Sequence, residues 1–212
     1  MNTGPAILSA SLINDIPSLQ PLLFLSADHL IEKENIFYKQ VLKHQKYLSK
    51  DNIFVFGIKP SRASSEYGYF TTKKNKRIHK VLRFIEKPNQ IKAKSLIKKK
   101  ASWNSGMFFL RKDSIINNFK RYQFKTFKNC QKAVLKSKYF KNTYYLNKQA
   151  FIKSVSKSFD HGILEQKKLM QLSLTFPGRI LVVGKKSARC IIKIKITILE
   201  KIISFIDHGE NI

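Results

Sequence analysis

The stretch LLFLSADHLIEKENIFYKQVLKHQKYLSKDNIFVFGI, residues 22 to 58, decides the fold class. Its opening run LLFLSA, residues 22 to 27, is short and continuously apolar, as a strand covered on both faces must be, and it stops at the polar pair Asp28–His29. From Glu32 to Leu48, the residues Ile36, Phe37, Val41, Leu42 and Leu48 recur at the spacing of an amphipathic helix. Ile53 to Ile58 is a second β-rich run. Strand, helix and strand within about 35 residues form a βαβ unit, which predicts an α/β sheet with a right-handed crossover.

Working outward, Thr3 followed by Pro5 fits a helix start, AILSASLI continues it and Pro17 ends it. On the other side, residues 59 to 70 read as a loop punctuated by Pro60, serines and Gly68, leading into a strand at YGYF. A strand through Val81 to Ile85, a helix near 89 to 98, a strand through Met107 to Leu110 and a helix from Asp113 complete a three-layer domain. No internal repeat is visible.

The chain has 212 residues, with 41 Lys or Arg against 13 Asp or Glu, a formal charge of +28. That balance first points to a polyanion partner, and a basic nucleic-acid-binding protein is the reading from another class. Yet 34 of the 41 are lysines, alongside many Ile, Asn, Phe and Tyr, which AT-rich coding produces without selection for binding. Clustered arginines and any recognisable nucleic-acid module are missing, so no specific nucleic acid is expected. The basic runs, 12 cations against Glu86 in residues 71 to 100 and 11 against Asp113 in residues 111 to 150, alternate with apolar positions as solvated faces do.

With 43% hydrophobic and 12% aromatic residues the chain is neither a disordered tail nor a low-complexity protein. Cys130 and Cys190 lie far apart without metal-ligand or disulfide-framework spacing and read as ordinary thiols of a reducing compartment. The apolar tail CIIKIKITILEKIISFI carries Lys193, Lys195, Glu200 and Lys201, too many charges for a membrane span. With no signal peptide apparent, the expected location is cytoplasmic.

In an open α/β sheet, ligands bind beyond the carboxyl ends of strands, which directs attention to Asp28; taken alone, an Asp after a strand is more often a turn residue or helix cap, but it is also a hard oxygen ligand able to hold Mg²⁺ against a phosphate. Its companions, in order, are MNTGPAI at 1 to 7, FLSADH at 24 to 29, FGIKPSR at 56 to 62, EYGYF at 66 to 70, FIEKP at 84 to 88, WNSGMF at 103 to 108 and SFDHGILE at 158 to 165. In this order and at these intervals they resemble the bacterial mannose-1-phosphate guanylyltransferases, members of the sugar nucleotidyltransferase family, over about residues 1 to 175.

The resemblance implies a Rossmann-like nucleotidyltransferase domain, three-layered with a mostly parallel sheet, that joins mannose 1-phosphate to GTP and yields GDP-mannose and pyrophosphate. The attacking sugar phosphate oxygen is already ionised near neutral pH, so catalysis is positioning plus charge neutralisation. By the same resemblance Asp28 is the Mg²⁺ ligand and, with Lys87, catalytic. Asn2 and Thr3 lie by the nucleotide, with helix capping an equal alternative. Gly68, Tyr69, Glu86, Lys87 and Asn104 fall at the sugar phosphate. Asp160 and Glu165 follow the sugar site, where a structural role is at least as well supported.

Two departures accompany the match. The family's glycine-rich strand and loop, which cradles the triphosphate, would precede MNTGPAI, so residues 1 to 176 read as a partial domain lacking it. After LEQKKLMQLSLTF the family carries a W-S-D-x-x-S-W segment with a second metal ligand, where this chain reads PGRILVVGKKSARC. One back-translation of Pro177 to Arg189, read from the third base, gives W-S-D-F-S-S-W, so residues 177 to 212 read as an out-of-frame tail. The chain alone is then expected to be impaired or inactive, and a non-catalytic sugar-nucleotide-binding remnant is a further alternative. Glu66 stands where the family commonly has glycine and is expected to crowd the sugar loop.

Overall fold

The computed structural model describes residues 3–26, 29–73, 78–141, 143–166, 170–174 and 180–182. In chain order it contains α1 (Thr3–Ser11), β1 (Pro21–Phe24), β2 (His29–Ile31), α2 (Glu34–His44), β3 (Asn52–Ile58), β4 (Tyr69–Lys73) and β5 (His79–Ile85). Then come α3 (Gln90–Lys98), β6 (Ser102–Arg111), α4 (Lys112–Tyr122), α5 (Phe124–Leu135), β7 (Lys138–Phe140), β8 (Thr143–Tyr145), α6 (Lys148–Ile152), a π-helical turn at Asp160–Leu164, β9 (Met170–Leu174) and β10 (Ile180–Val182).

Side chains of β1, β3 and β6 alternate between two apolar layers. Leu22, Phe24, Ile53, Val55, Phe108 and Leu110 meet Ile7 and Leu8 of α1, Ile115 and Phe119 of α4, and Phe127 of α5. Leu23, Phe54, Phe56, Met107 and Phe109 pack on the other face against Phe37 and Val41 of α2. Burial on both faces is why these strands read as unbroken apolar runs rather than alternating ones. Each such side chain taken wholly out of water contributes about 1.5–3 kcal/mol before the entropic cost of ordering it. A third cluster, Tyr69, Ala93, Leu96, Ala101 and Trp103, fastens α3 beside β4. Asn89 starts α3 by accepting the Lys92 N–H at 2.9 Å, an N-cap.

The three-layer α/β class holds, but strand direction corrects the mostly parallel expectation. The strand order is β1-β6-β3-β9-β5-β4, with β6 also paired to β4. Among the described residues only β3–β9 is a parallel pair in this sheet; the other pairings are antiparallel. The two strands of the βαβ unit run the same way, yet β6 lies between them and pairs antiparallel with both. Sequence-local periodicity carries no sign of a strand inserted from 50 residues downstream.

The first helix ends at Ser11 rather than at Pro17. The ammonium of Lys112 donates to the carbonyls of Ile13 at 2.8 Å and Ile16 at 2.5 Å, so carbonyls of the segment that follows the helix are satisfied from α4. Lys112 is buried, whereas Lys92, Lys94, Lys98 and Lys99 at α3 are exposed, as a solvated basic face predicts. Cys130 is an interior thiol within reach of Ser154 and the Pro5 carbonyl, and burial pushes its pKa up. Cys190 lies outside the described residues. No helix among the described residues is long and apolar enough to cross a membrane. Within the segment read as an out-of-frame tail, β10 pairs with β2, and residues 177–179 and 183–212 lie outside the described residues.

Candidate functional site

The register of β6 against β3 builds the site. Val55 faces Phe108 but Gly57 faces Asn104, so β6 spends two more residues than β3 over this interval. Gly106 sits in the surplus at φ 70, a left-handed conformation that glycine adopts without a Cβ penalty. Such a bulge re-aims side chains out of the ladder. Here it turns Asn104 into a cleft of about 150 Å³ whose walls include Gly68, Glu86, Gly106 and Asp160, with Glu66 and His29 also on its lining. The predicted strand began only at Met107, because the polar Asn104-Ser105-Gly106 interrupts the apolar run that periodicity follows.

Asn104 is fixed from three directions. Its backbone N–H donates to the Gly68 carbonyl at 2.8 Å. Its side-chain Oδ1 accepts the Gly106 N–H at 3.3 Å, and its Nδ2 donates to Asp160 Oδ1 at 2.6 Å. Burial and the neighbouring Glu86 together raise the Asp160 carboxyl to about 6, against the lowering effect of the Asn104 bond.

Glu86 and Lys87 part at the end of β5. The Glu86 side chain is only 10% exposed and the Lys87 side chain 64%, with Nζ 3.6 Å from Glu86 Oε1. Lys87 has φ 42, a conformation costly for a residue with a Cβ, and this turn sends Glu86 inward and the ammonium outward. The other carboxylate oxygen, Glu86 Oε2, is buried with no hydrogen-bond partner among the described residues. Gly68 is what makes room for it, since a Cβ there would stand 2.6 Å from Oε2.

The remaining predicted residues divide. Tyr69 is not in the cleft: its side chain is wholly buried, and its hydroxyl accepts from Ser64 N–H and donates to Ser64 C=O, each at 3.0 Å. It holds the 59–68 loop that carries Gly68. Thr3 accepts the Phe159 N–H through Oγ1 at 3.0 Å, tying the start of α1 to the residue before Asp160. Asn2 and Asp28 lie outside the described residues. Glu66 lines the cleft and lies 3.9 Å from Arg62. Glu165 is exposed and pairs with His161 at 3.1 Å, away from the cleft lining. Asp160, for which the sequence supports a structural role at least as well as a place at the site, lines the cleft; its place in SFDHGILE, one of the ordered motifs, is the signal for it.

The fold is thus a mixed sheet between helical layers, with a polar cleft at a bulge within β6. The sequence model described as "Nucleotidyl transferase" matches residues 1–158, and the chain belongs to that family. It is 33% identical over 170 residues to the mannose-1-phosphate guanylyltransferase RfbM of Salmonella typhimurium, covering 77% of this chain and 36% of that protein. It is also 33% identical over 167 residues to the xanthan biosynthesis protein XanB of Xanthomonas campestris pv. campestris, covering 78% and 36%. The chain thus spans about a third of the length of the curated relatives it matches. Among solved structures, a mannose-1-phosphate geranyltransferase from Thermus thermophilus superposes with TM-score 0.72 at 20% identity, over 86% of this chain and 52% of that one. A mannose-6-phosphate isomerase from Helicobacter pylori does so with TM-score 0.73 at 23% identity, over 85% and 71%. At these identities the likeness concerns the fold.

Proposed function

We propose that the chain serves nucleotidyl transfer from GTP to mannose 1-phosphate, giving GDP-mannose and pyrophosphate. The observation that carries this reading is Glu86 Oε2, a buried carboxylate oxygen without a donor among the described residues, on a side chain that lines a small cleft with Asn104 and Gly68. Burying it unpaired is costly, and a ligand hydroxyl offsets that cost. A hexose ring supplies such donors. Its phosphate would be repelled by Glu66, Glu86 and Asp160 on the cleft lining, so the phosphate belongs toward the outward ammonium of Lys87.

In the proposed reaction a sugar phosphate oxygen attacks the α-phosphorus of GTP. The new P–O bond forms as the bond to the β-phosphate oxygen breaks, and pyrophosphate leaves with that electron pair. The nucleophile is already an anion, so the residues orient it rather than deprotonate it. Glu86 and Asn104 would hold the ring, Lys87 the phosphate charge, and Asn2 and Thr3 the nucleotide. Mg²⁺, when bound, supplies charge neutralisation to phosphate oxygens. Its holding residue in this reading is Asp28, a hard oxygen donor; among the described residues there is no group of three or more His, Cys, Asp or Glu able to hold a metal.

Calorimetry with mannose 1-phosphate on the purified chain tests the reading, alongside GTP-dependent pyrophosphate release. Saturable binding that Glu86→Gln weakens about tenfold is expected, the weakening coming from the loss of one charged acceptor. Absence of binding, or equal binding by the variant, overturns it.

A further inference from the structure

Asn104 can turn its amide either way about its last torsion, and the two orientations present opposite patterns to a ligand. Two contacts select one of them. Gly106 N–H requires an acceptor on one side at 3.3 Å, and Asp160 Oδ1 requires a donor on the other at 2.6 Å. The Asp160 contact is the shorter and carries a carboxylate, so it is the stronger selector. Asp160 is itself held in place by the π-helical turn, in which Glu165 N–H donates to the Asp160 carbonyl at 3.0 Å, and by Phe159, whose N–H is fixed on Thr3.

We propose that Asp160 is a positioning residue of the sugar site, clamping the Asn104 amide so that one Nδ2–H and one Oδ1 lone pair meet the hydroxyls of a hexose phosphate in a fixed orientation. This rests on the sugar-site reading of the cleft. Asp160 shares the cleft with Glu86, whose Oε2 has no hydrogen-bond partner among the described residues, and two carboxylates that act on each other in one cleft are an arrangement that stability alone would not favour. The groups that face it are Glu86 at the end of β5, Asn104 of β6 and His161 on its own turn, with Glu66 and His29 farther along the cleft lining. Desolvation and Glu86 raise its titration to about 6, so the clamp also carries a readable midpoint.

A double-mutant cycle on the full chain tests this, with mannose 1-phosphate affinity read by calorimetry. Asp160→Ala is expected to lower affinity about tenfold, Asp160→Asn, which keeps an acceptor oxygen, by less, and Asn104→Ala/Asp160→Ala no further than Asn104→Ala alone. Additive losses overturn the proposal, because Asp160 would then act on the ligand without Asn104. In the ligand-free protein, the Asn104 side-chain amide resonances should move with a midpoint near 6 in the wild type and lose that midpoint in Asp160→Asn. An amide that does not respond overturns the clamp even if the sugar binds. Conversely, a responding amide with no sugar binding would retain the clamp and remove the sugar-site reading on which its role depends, so the two failures separate.

Discussion

Gly68 and Glu86 contend for one volume: a Cβ on Gly68 would stand 2.6 Å from Glu86 Oε2 and 3.1 Å from the Phe84 ring. The glycine therefore sets where the carboxylate rests, and through it the shape of the cleft.

Gly68→Ala should displace Glu86 while leaving the sheet intact. Overpacking costs about 1–3 kcal/mol of stability. The larger effect is on ligand affinity, since misplacing a binding group by an ångström costs ten- to a hundredfold. Mannose 1-phosphate affinity should fall at least about tenfold with an unchanged far-ultraviolet circular dichroism spectrum. An alanine variant binding as the wild type does would show that Glu86 does not need its present position.

Asp160→Asn should stabilise the protein at neutral pH. The Asp160 carboxyl titrates near 6 in the folded chain against 3.8 ordinarily, so the folded state binds the extra proton between those values. The contribution of Asp160 to wild-type stability therefore falls as pH rises from about 4 to about 6 and is flat above. Relative to the wild type, the variant should gain up to about 3 kcal/mol at pH 7.5, a gain that shrinks to nothing near pH 4. Denaturant melts at the two pH values measure it; a pH-independent difference would contradict the assignment.

Tyr69→Phe should loosen the loop without touching the cleft. The Tyr69 hydroxyl is bonded to both the N–H and C=O of the buried Ser64. Removing it leaves two backbone groups unpaired, at about 1–3 kcal/mol. Melting temperature should drop by several degrees, and hydrogen exchange in residues 59 to 68 should quicken more than in β6. Uniform exchange across both would mean the phenol stabilises the whole domain rather than this loop.

How much of this was legible in the sequence follows from what each residue faces. The apolar runs of β1 and β3 were readable because helices cover both sides of the sheet, as Leu23 against Phe24 and Phe54 against Val55 illustrate. The motifs also brought Gly68, Glu86 and Asn104 to one cleft, although they stand up to 36 residues apart. Strand direction was not readable, since pairing of β6 with both β1 and β3 leaves no local mark. Nor was the inward turn of Tyr69: alternation beside a loop does not say which neighbour its hydroxyl will find. Asp160 stood in one of the ordered motifs, but what it touches was not readable for a similar reason. Its function comes from Asn104, 56 residues earlier, and neither residue's neighbours in sequence reveal that contact.

Lys112 gives the last test, because it is a cation of the basic runs that is not solvated. Its ammonium bonds the carbonyls of Ile13 and Ile16, where α1 has already ended, and burial pushes its pKa down against the pull of Asp15. Lys112→Met keeps the length and the apolar stem but leaves both carbonyls without this donor, so it should cost about 1–3 kcal/mol. The pH dependence has a definite sign. With the folded value below the ordinary 10.5, the folded state sheds its proton first. The stability of the wild type relative to Lys112→Met should therefore increase as pH rises toward 10.5 and be constant at lower pH. Paired denaturant melts of the two proteins from pH 7 to 10.5 measure this difference. A variant as stable as the wild type at pH 7 would show that Ile13 and Ile16 find other donors, and that the early end of α1 has another cause.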